Sequence, residues 1–286
     1  LDRISRAVQA APDAVRAGGI EAALLRAAGQ AEKARARLAA WRLMDPANSL
    51  LRVEAVRLGA ADASVWAHLA ADPERVVEVV ADYMRFGLYA DAVDLLGRSY
   101  PSGPEVVTEP GMPRPEQYPL IAYYRGYCRS LLGQNPDADY AQASTLPTTY
   151  VFPHRPESLD VLSDVVKRNP KDATAQFLLG SLYLSGGMVD AALKAWEQAR
   201  SLNPAIPTLH RNMGATLAAT GAFDKAIAMF QEGARYDATN IGVYTGLEQA
   251  LAQAGRPAAD RATALLSYPD QRALPAALVY KLALLL

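Results

Sequence analysis

The 286-residue chain is predicted to be all-α, an α-solenoid of about seven antiparallel helix pairs in one continuous domain. Three observations predict it. Alanine occupies 55 positions and phenylalanine only 5, and alanine costs a helix no side-chain entropy while letting helices approach closely. The stretch Ala173 to Pro204 realigns with Pro207 to Ala238 at a spacing of 34 residues. Glycine and proline punctuate the chain at matching points of that spacing, where helices turn and stop.

Taken in order, the pairs start near residues 15, 49, 73, 119, 173, 207 and 241. Residues 1–72 hold weakly patterned N-terminal pairs, with Gly29, Ala34, Leu38, Trp41 and Pro46 echoing Gly187, Ala192, Trp196, Ala199 and Pro204. Residues 73–170 hold two units, the first marked by Tyr83, Gly87, Ala92 and Leu96, the second by Gly126 and Gly133. The spacing there stretches to 46 and then 54, which places insertions at 101–118 and 134–156. The first is rich in proline and reads as an extended loop. The second reads as a short helix near Asp137 to Ser144 followed by a loop, with the partner of the preceding helix arriving late, at Pro156 to Asn169. Insertions of this length in a compact repeat point to function or to an interface. Residues 171–256 are regular. Residues 257–286 cap the array, because Pro257 disturbs a helix start and Leu274 to Leu286 reads as a closing helix.

Each recurring residue has a physical role. Gly180 and Gly214 are small so that the first helix of a pair can sit tightly on the second. Gly187 and Gly221 tolerate the left-handed conformation that ends a helix. Ala192 and Ala226 face the crossing point, and Trp196 and Phe230 are expected to fill the gap toward the next unit. Pro204 stops the second helix.

Small residues at fixed points and one aromatic in the second half, over residues 173–255, resemble the tetratricopeptide repeat family. The resemblance implies a right-handed superhelix whose first helices line an inner, concave wall. A narrower likeness rests on DPAN (Asp45 to Asn48), ADYMRFGLYADAVDLL (Ala81 to Leu96), YVFPHRPESLDVL (Tyr150 to Leu162) and TLHRNMG (Thr208 to Gly214). Over residues 45–225 the chain resembles the helical tail of large bacterial proteins that carry an N-terminal β-rich region of carbohydrate-handling type. That likeness implies a docking or support arm, with any sugar chemistry upstream.

Catalytic signatures are missing from the sequence. His68, His154 and His210 form no HxxxH or HExxH pair, and no GxSxG, glycine-rich phosphate loop or CxxC occurs. Cys128 alone can make neither an internal disulfide nor a zinc cage, and is expected in the core. Glu157, Asp160 and Asp164 read as a solvated helix face. The expectation is therefore a non-enzyme with no cofactor and no metal. A net charge of -1 lacks the basic excess that nucleic acid demands. No apolar run is long enough to span a membrane. The chain opens without methionine or an apolar leader, and reads as a trimmed form or fragment working in the cytoplasm.

Binding is the expected role, with a protein as partner: a β-rich domain of the same parent chain, or a second subunit. The inner wall is expected to include Tyr123, Tyr127, Phe177, Ser181, Leu184 and Arg211. Aromatic rings and an arginine give large contact area at modest entropy cost. Phe152, His154 and Arg155 are the expected docking loop, with Arg155 suited to carboxylates or carbonyl oxygens. Two alternatives stay open: an accessory module contributing to a glycoside-processing site, and a free adaptor that binds peptides.

Overall fold

A computed structural model describes residues 1–11 and 14–286. Among the described residues there are helices and turns but no strand. They divide into two compact units, Leu1–Tyr150 and Val151–Leu286.

The first unit contains α1 (Asp2–Ala10), α2 (Val15–Ala27), α3 (Ala31–Met44), α4 (Ser49–Arg57), α5 (Ser64–Ala70), α6 (Pro73–Arg85), α7 (Tyr89–Leu96), α8 (Pro119–Leu131) and α9 (Asp137–Ser144). The second contains α10 (Glu157–Arg168), α11 (Ala173–Ser185), α12 (Val189–Leu202), α13 (Leu209–Ala219), α14 (Phe223–Tyr236), α15 (Ile241–Gln253), α16 (Ala258–Leu266) and α17 (Ala276–Leu285). The observed pairs are α2/α3, α4/α5, α6/α7, α8/α9, α11/α12, α13/α14 and α15/α16. Short turns leave each pair antiparallel.

All seven turns are built alike. Gly29, Gly59, Gly87, Gly133, Gly187, Gly221 and Gly255 all have φ between +68° and +97°. The residue after each glycine donates its backbone N–H to the carbonyl five residues back, as Met188 does to Tyr183 at 2.9 Å and Ala222 does to Leu217 at 2.9 Å. This closes the helix with a Schellman bond, and a side chain at the glycine would strain it. Several first helices open on a polar cap: Asn48 accepts from the Leu51 N–H, Asp72 from Glu74, Asp172 from Ala175 and Asn240 from Gly242.

Tight pairing comes from an aromatic ring laid over a glycine. A Cβ on Gly180 would lie 2.5 Å from Trp196, one on Gly214 2.8 Å from Phe230, one on Gly126 2.5 Å from Tyr140, and one on Gly18 2.0 Å from Trp41. This corrects the expected role of Trp196. Its ring covers Gly180 of its own pair, and its indole N–H donates to the Phe177 carbonyl at 3.1 Å. Phe230 does both jobs, since a Cβ on Gly246 of the next pair would lie 2.4 Å from the same ring.

The partner of α8 also differs from expectation. It is α9, inside the second insertion, joined by the Gly133 turn and seated through Tyr140 over Gly126. Asp139 on α9 is 3% exposed and takes Arg125 at 2.6 Å and Arg129 at 2.7 Å from α8. Helix α10 instead packs on α11 within the second unit. The sequence misleads here because α9 is only eight residues long and carries little apolar signal. At the far end, Pro257 shortens α16 to nine residues, against fourteen in α12 and α14, and α17 forms as the closing helix. Its Lys281 reaches the buried Glu248 of α15, which also takes Arg261.

Between α7 and α8 the chain has no α-helix and makes a 3-10 turn at Pro115–Gln117. The ends of this segment are tied down. Glu116 accepts the Tyr100 N–H at 3.1 Å, Arg114 donates to the Tyr100 carbonyl at 3.4 Å, and the Tyr118 hydroxyl bonds Glu74 of α6. Nearby, Asp62 accepts two bonds from Arg52 at 3.1 Å and one from the Ser64 hydroxyl at 2.7 Å. Those donors, chiefly Arg52 and then Ser64, hold its carboxyl at about 2, below the ordinary 3.8. A carboxyl depressed in the folded state stabilises above its unfolded pKa, and that contribution fades as pH falls from 3.8 toward about 2. Asp62→Asn should therefore flatten the acid limb of a urea-midpoint profile across this window, and an unchanged limb would refute the linkage.

Candidate functional site in the groove between α13 and α15

Helices α13 and α15 are the first helices of successive pairs and lie side by side in the second unit. Between them runs a groove of about 490 Å3, lined by Arg211, Ala215, Ala218 and Ala219 from α13, by Thr245, Gln249 and Gln253 from α15, and by the Phe230 ring. The small residues make the floor. Gly242 and Gly246 deepen it: Arg211 packs its methylenes over Gly242, where a Cβ would lie 2.9 Å from its Cδ, and Phe230 fills the space over Gly246.

The polar groups stand on the rims. Gln249 and Gln253 are exposed and one helical turn apart on α15. Arg211 is half-buried, and its guanidinium donates to the Asn212 side-chain oxygen at 3.2 and 3.4 Å. It has no carboxylate partner among the described residues. An arginine keeps its charge at all accessible pH and offers five donors in a fixed fork. Amide rims can donate to and accept from the backbone of an extended chain, while an alanine and glycine floor lets that backbone come close.

The expected wall residues fall into three groups. Arg211 lines the groove. Leu184 is 37% exposed and Tyr127 and Ser181 are half-buried, with the Ser181 hydroxyl turned back onto the Phe177 carbonyl at 3.0 Å. Tyr123 and Phe177 are corrected: they are 0% and 3% exposed, so their rings sit in the packing layer. Tyr123 lies against Tyr140 of α9 at 6.2 Å between centroids. Thr245, Gln249 and Gln253 went unnoticed, although a signal existed. They stand 34 residues after Arg211, Ala215 and Ala219, one repeat along the same face.

In the docking loop, Val151 and Pro153 are buried while Phe152, at 68% exposure, and His154 face outward. This alternation is that of an extended segment anchored on one side. The His154 ring bonds the Phe152 carbonyl at 3.0 Å, and Arg155 is half-buried with its own contacts. His210 is 3% exposed, stacked on Tyr236 at 5.3 Å and bonded to the Pro204 carbonyl at 2.8 Å, which is a structural role. Cys128 is buried, and burial pushes its thiol up to about 12, so it is an inert thiol at neutral pH. No helix among the described residues is long and apolar enough to cross a membrane.

Part of the chain is similar to known proteins. A family model described as tetratricopeptide repeat matches residues 154–199 and 183–240. Hsp70-Hsp90 organizing protein 1 of Glycine max is 29% identical over 98 residues, 34% of this chain and 17% of that protein. Hsp70-Hsp90 organizing protein 3 of Arabidopsis thaliana is also 29% identical over 98 residues, 34% of this chain and 18% of that protein. The matched segment thus spans less than a fifth of those relatives. Among solved structures, MamA is 16% identical, with 73% of this chain and 98% of that chain covered and a TM-score of 0.39. YrrB, a TPR protein, is 17% identical, with 84% and 95% covered and a TM-score of 0.31. Over residues 154–240, then, this chain is similar to the tetratricopeptide repeat.

Proposed function

We propose that this chain is a non-catalytic interaction scaffold whose α13–α15 groove holds an extended segment of a partner protein. The observation that carries the proposal is Arg211: a guanidinium without a carboxylate partner among the described residues, set on the rim of a groove floored by alanine and glycine. Left without an anion, such a group is a standing recognition site. The partner follows from the likeness to bacterial tails behind a β-rich, carbohydrate-type region. On this reading the chain is that region's docking arm in the cytoplasm, and the outward Phe152 and His154 with Arg155 form a second contact.

Screening a random dodecapeptide library against residues 1–286 tests the groove. Enriched peptides should bind the wild type and lose at least tenfold in affinity on Arg211→Ala or Gln249→Ala, with the circular dichroism spectrum unchanged. If nothing is enriched, or if binders ignore both substitutions, the groove is not the site. For the arm, the separately expressed β-rich region of a resembling bacterial protein should be retained by this chain and released by Phe152→Ala with His154→Ala. Failure to retain it removes the arm reading and leaves the groove standing.

A further inference from the structure

A cleft of about 900 Å3 opens in the first unit, lined by other residues than the groove above. One wall is α5, carrying Trp66 and His68. A second is formed by Arg75 of α6 with Arg98, Ser99 and Tyr100 after α7. The third is the start of the first insertion, with Pro101, Glu105 and Val107.

Three guanidinium groups face this space in different states. Arg52 is neutralised by its two bonds to Asp62. Arg75 donates to the His68 carbonyl at 2.8 Å and lies 3.9 Å from Asp72, a long contact that leaves donors over. Arg98 is exposed and has no carboxylate partner among the described residues. Its guanidinium carbon sits 3.5 Å from the centre of the Trp66 ring. A guanidinium held over an indole has given up conformational freedom while its N–H donors stay available. His68 adds no charge at neutral pH, because burial first, then Arg75 and Arg52, hold it below the usual imidazole range. Its Nδ1 meets Arg75 at 3.2 Å and its Nε2 meets the Ser49 hydroxyl at 3.2 Å. The one acid lining the far wall, Glu105, is folded back over Gly103 within its own turn. The cleft therefore offers two under-used cations beside an indole, with Val107 82% exposed as an apolar lip.

We propose that this cleft binds an acidic peptide segment, its carboxylates taken by Arg98 and Arg75 and an apolar side chain laid between Trp66 and Val107. The open form of the cleft argues for a chain crossing it, because small-molecule sites enclose ~70–90% of their ligand. The loop that makes the far wall is the first insertion, whose length and proline content already mark it off from the repeat. Its ends are tied at Tyr100 and Tyr118, so the wall is in place before a ligand arrives and little ordering cost falls on binding.

The test is calorimetric titration of residues 1–286, at low salt, with the acetylated, amidated hexapeptide Glu-Glu-Phe-Glu-Glu-Leu, and with the same peptide carrying glutamine for glutamate. The acidic peptide should bind at least tenfold tighter than the neutral one and weaken as salt is raised. Arg98→Ala, an exposed change that leaves the fold intact, should cost at least fivefold. Glu105→Gln should tighten binding about twofold. Arg211→Ala should do nothing, which separates this cleft from the α13–α15 groove. No heat with the acidic peptide, equal affinity for the neutral peptide, or indifference to Arg98→Ala overturns the proposal. So does displacement by inorganic phosphate at the peptide's own concentration, which would make this a small-anion site.

Discussion

Gly180→Val should destabilise the second unit by about 3 kcal/mol, the upper end of what overpacking costs in a filled core. The reason is local and geometric. A Cβ at position 180 would lie 2.5 Å from Cδ1 and 2.7 Å from Nε1 of Trp196. That indole is 0% exposed and pinned by its bond to the Phe177 carbonyl. It cannot swing away without breaking a buried hydrogen bond and opening the α11–α12 contact. Trp196 is the one tryptophan after Tyr150, so in a Trp41→Phe, Trp66→Phe background its fluorescence follows the second unit alone. Urea unfolding in that background should show the midpoint fall. Shrinking the ring by Trp196→Leu costs stability in the wild type, yet should cost far less on top of Gly180→Val, since the two changes compete for one space. A strictly additive pair, or a midpoint unmoved by Gly180→Val, would show that the helices do not meet at this ring.

The second large effect is expected at Glu54. Its carboxylate, on α4, is 0% exposed. It accepts two bonds from Arg26 of α2 at 2.7 and 3.1 Å, and one from the Tyr83 hydroxyl of α6 at 2.6 Å. Arg26 also reaches Asp91 of α7 at 3.1 Å, and Arg57 bridges Asp91 and Asp94 at 2.8 and 2.7 Å. One carboxylate thus ties three helices from three successive pairs. Glu54→Ala leaves the Arg26 guanidinium with Asp91 alone and a fully buried phenol without its acceptor, which should cost about 4 kcal/mol. Glu54→Gln keeps one acceptor oxygen and should cost less. Replacing the cluster by apolar residues of similar volume need not cost anything, because assembling buried charges is itself expensive. Urea denaturation followed at Trp41 and Trp66 separates these outcomes. Equal midpoints for Glu54→Ala and the wild type would mean that water already satisfies Arg26.

Much of the repeat was legible because its signals are local. A left-handed turn needs glycine whatever surrounds it, so Gly187 and Gly221 announce themselves, and the phase they set leads to Gly29, Gly87, Gly133 and Gly255. The same phase sets Arg211 on the first-helix face that lines the α13–α15 groove, and carried one repeat further it reaches Thr245, with Gln249 one turn on. Tyr123 and Phe177 were misplaced because phase gives the face of a helix but not how deeply a neighbour covers it.

The sequence by itself determined where the helix pairs turn and which positions must stay small. These follow from backbone geometry within a few residues. Only the tertiary structure decided that Tyr140 closes over Gly126 and so makes α9 the partner of α8. It alone decided that Trp196 covers its own pair, that Glu54 and Glu248 gather charges from several helices, and that the first insertion walls a cationic cleft. Those outcomes depend on the register between helices far apart in the chain, where one turn of offset changes which side chains meet.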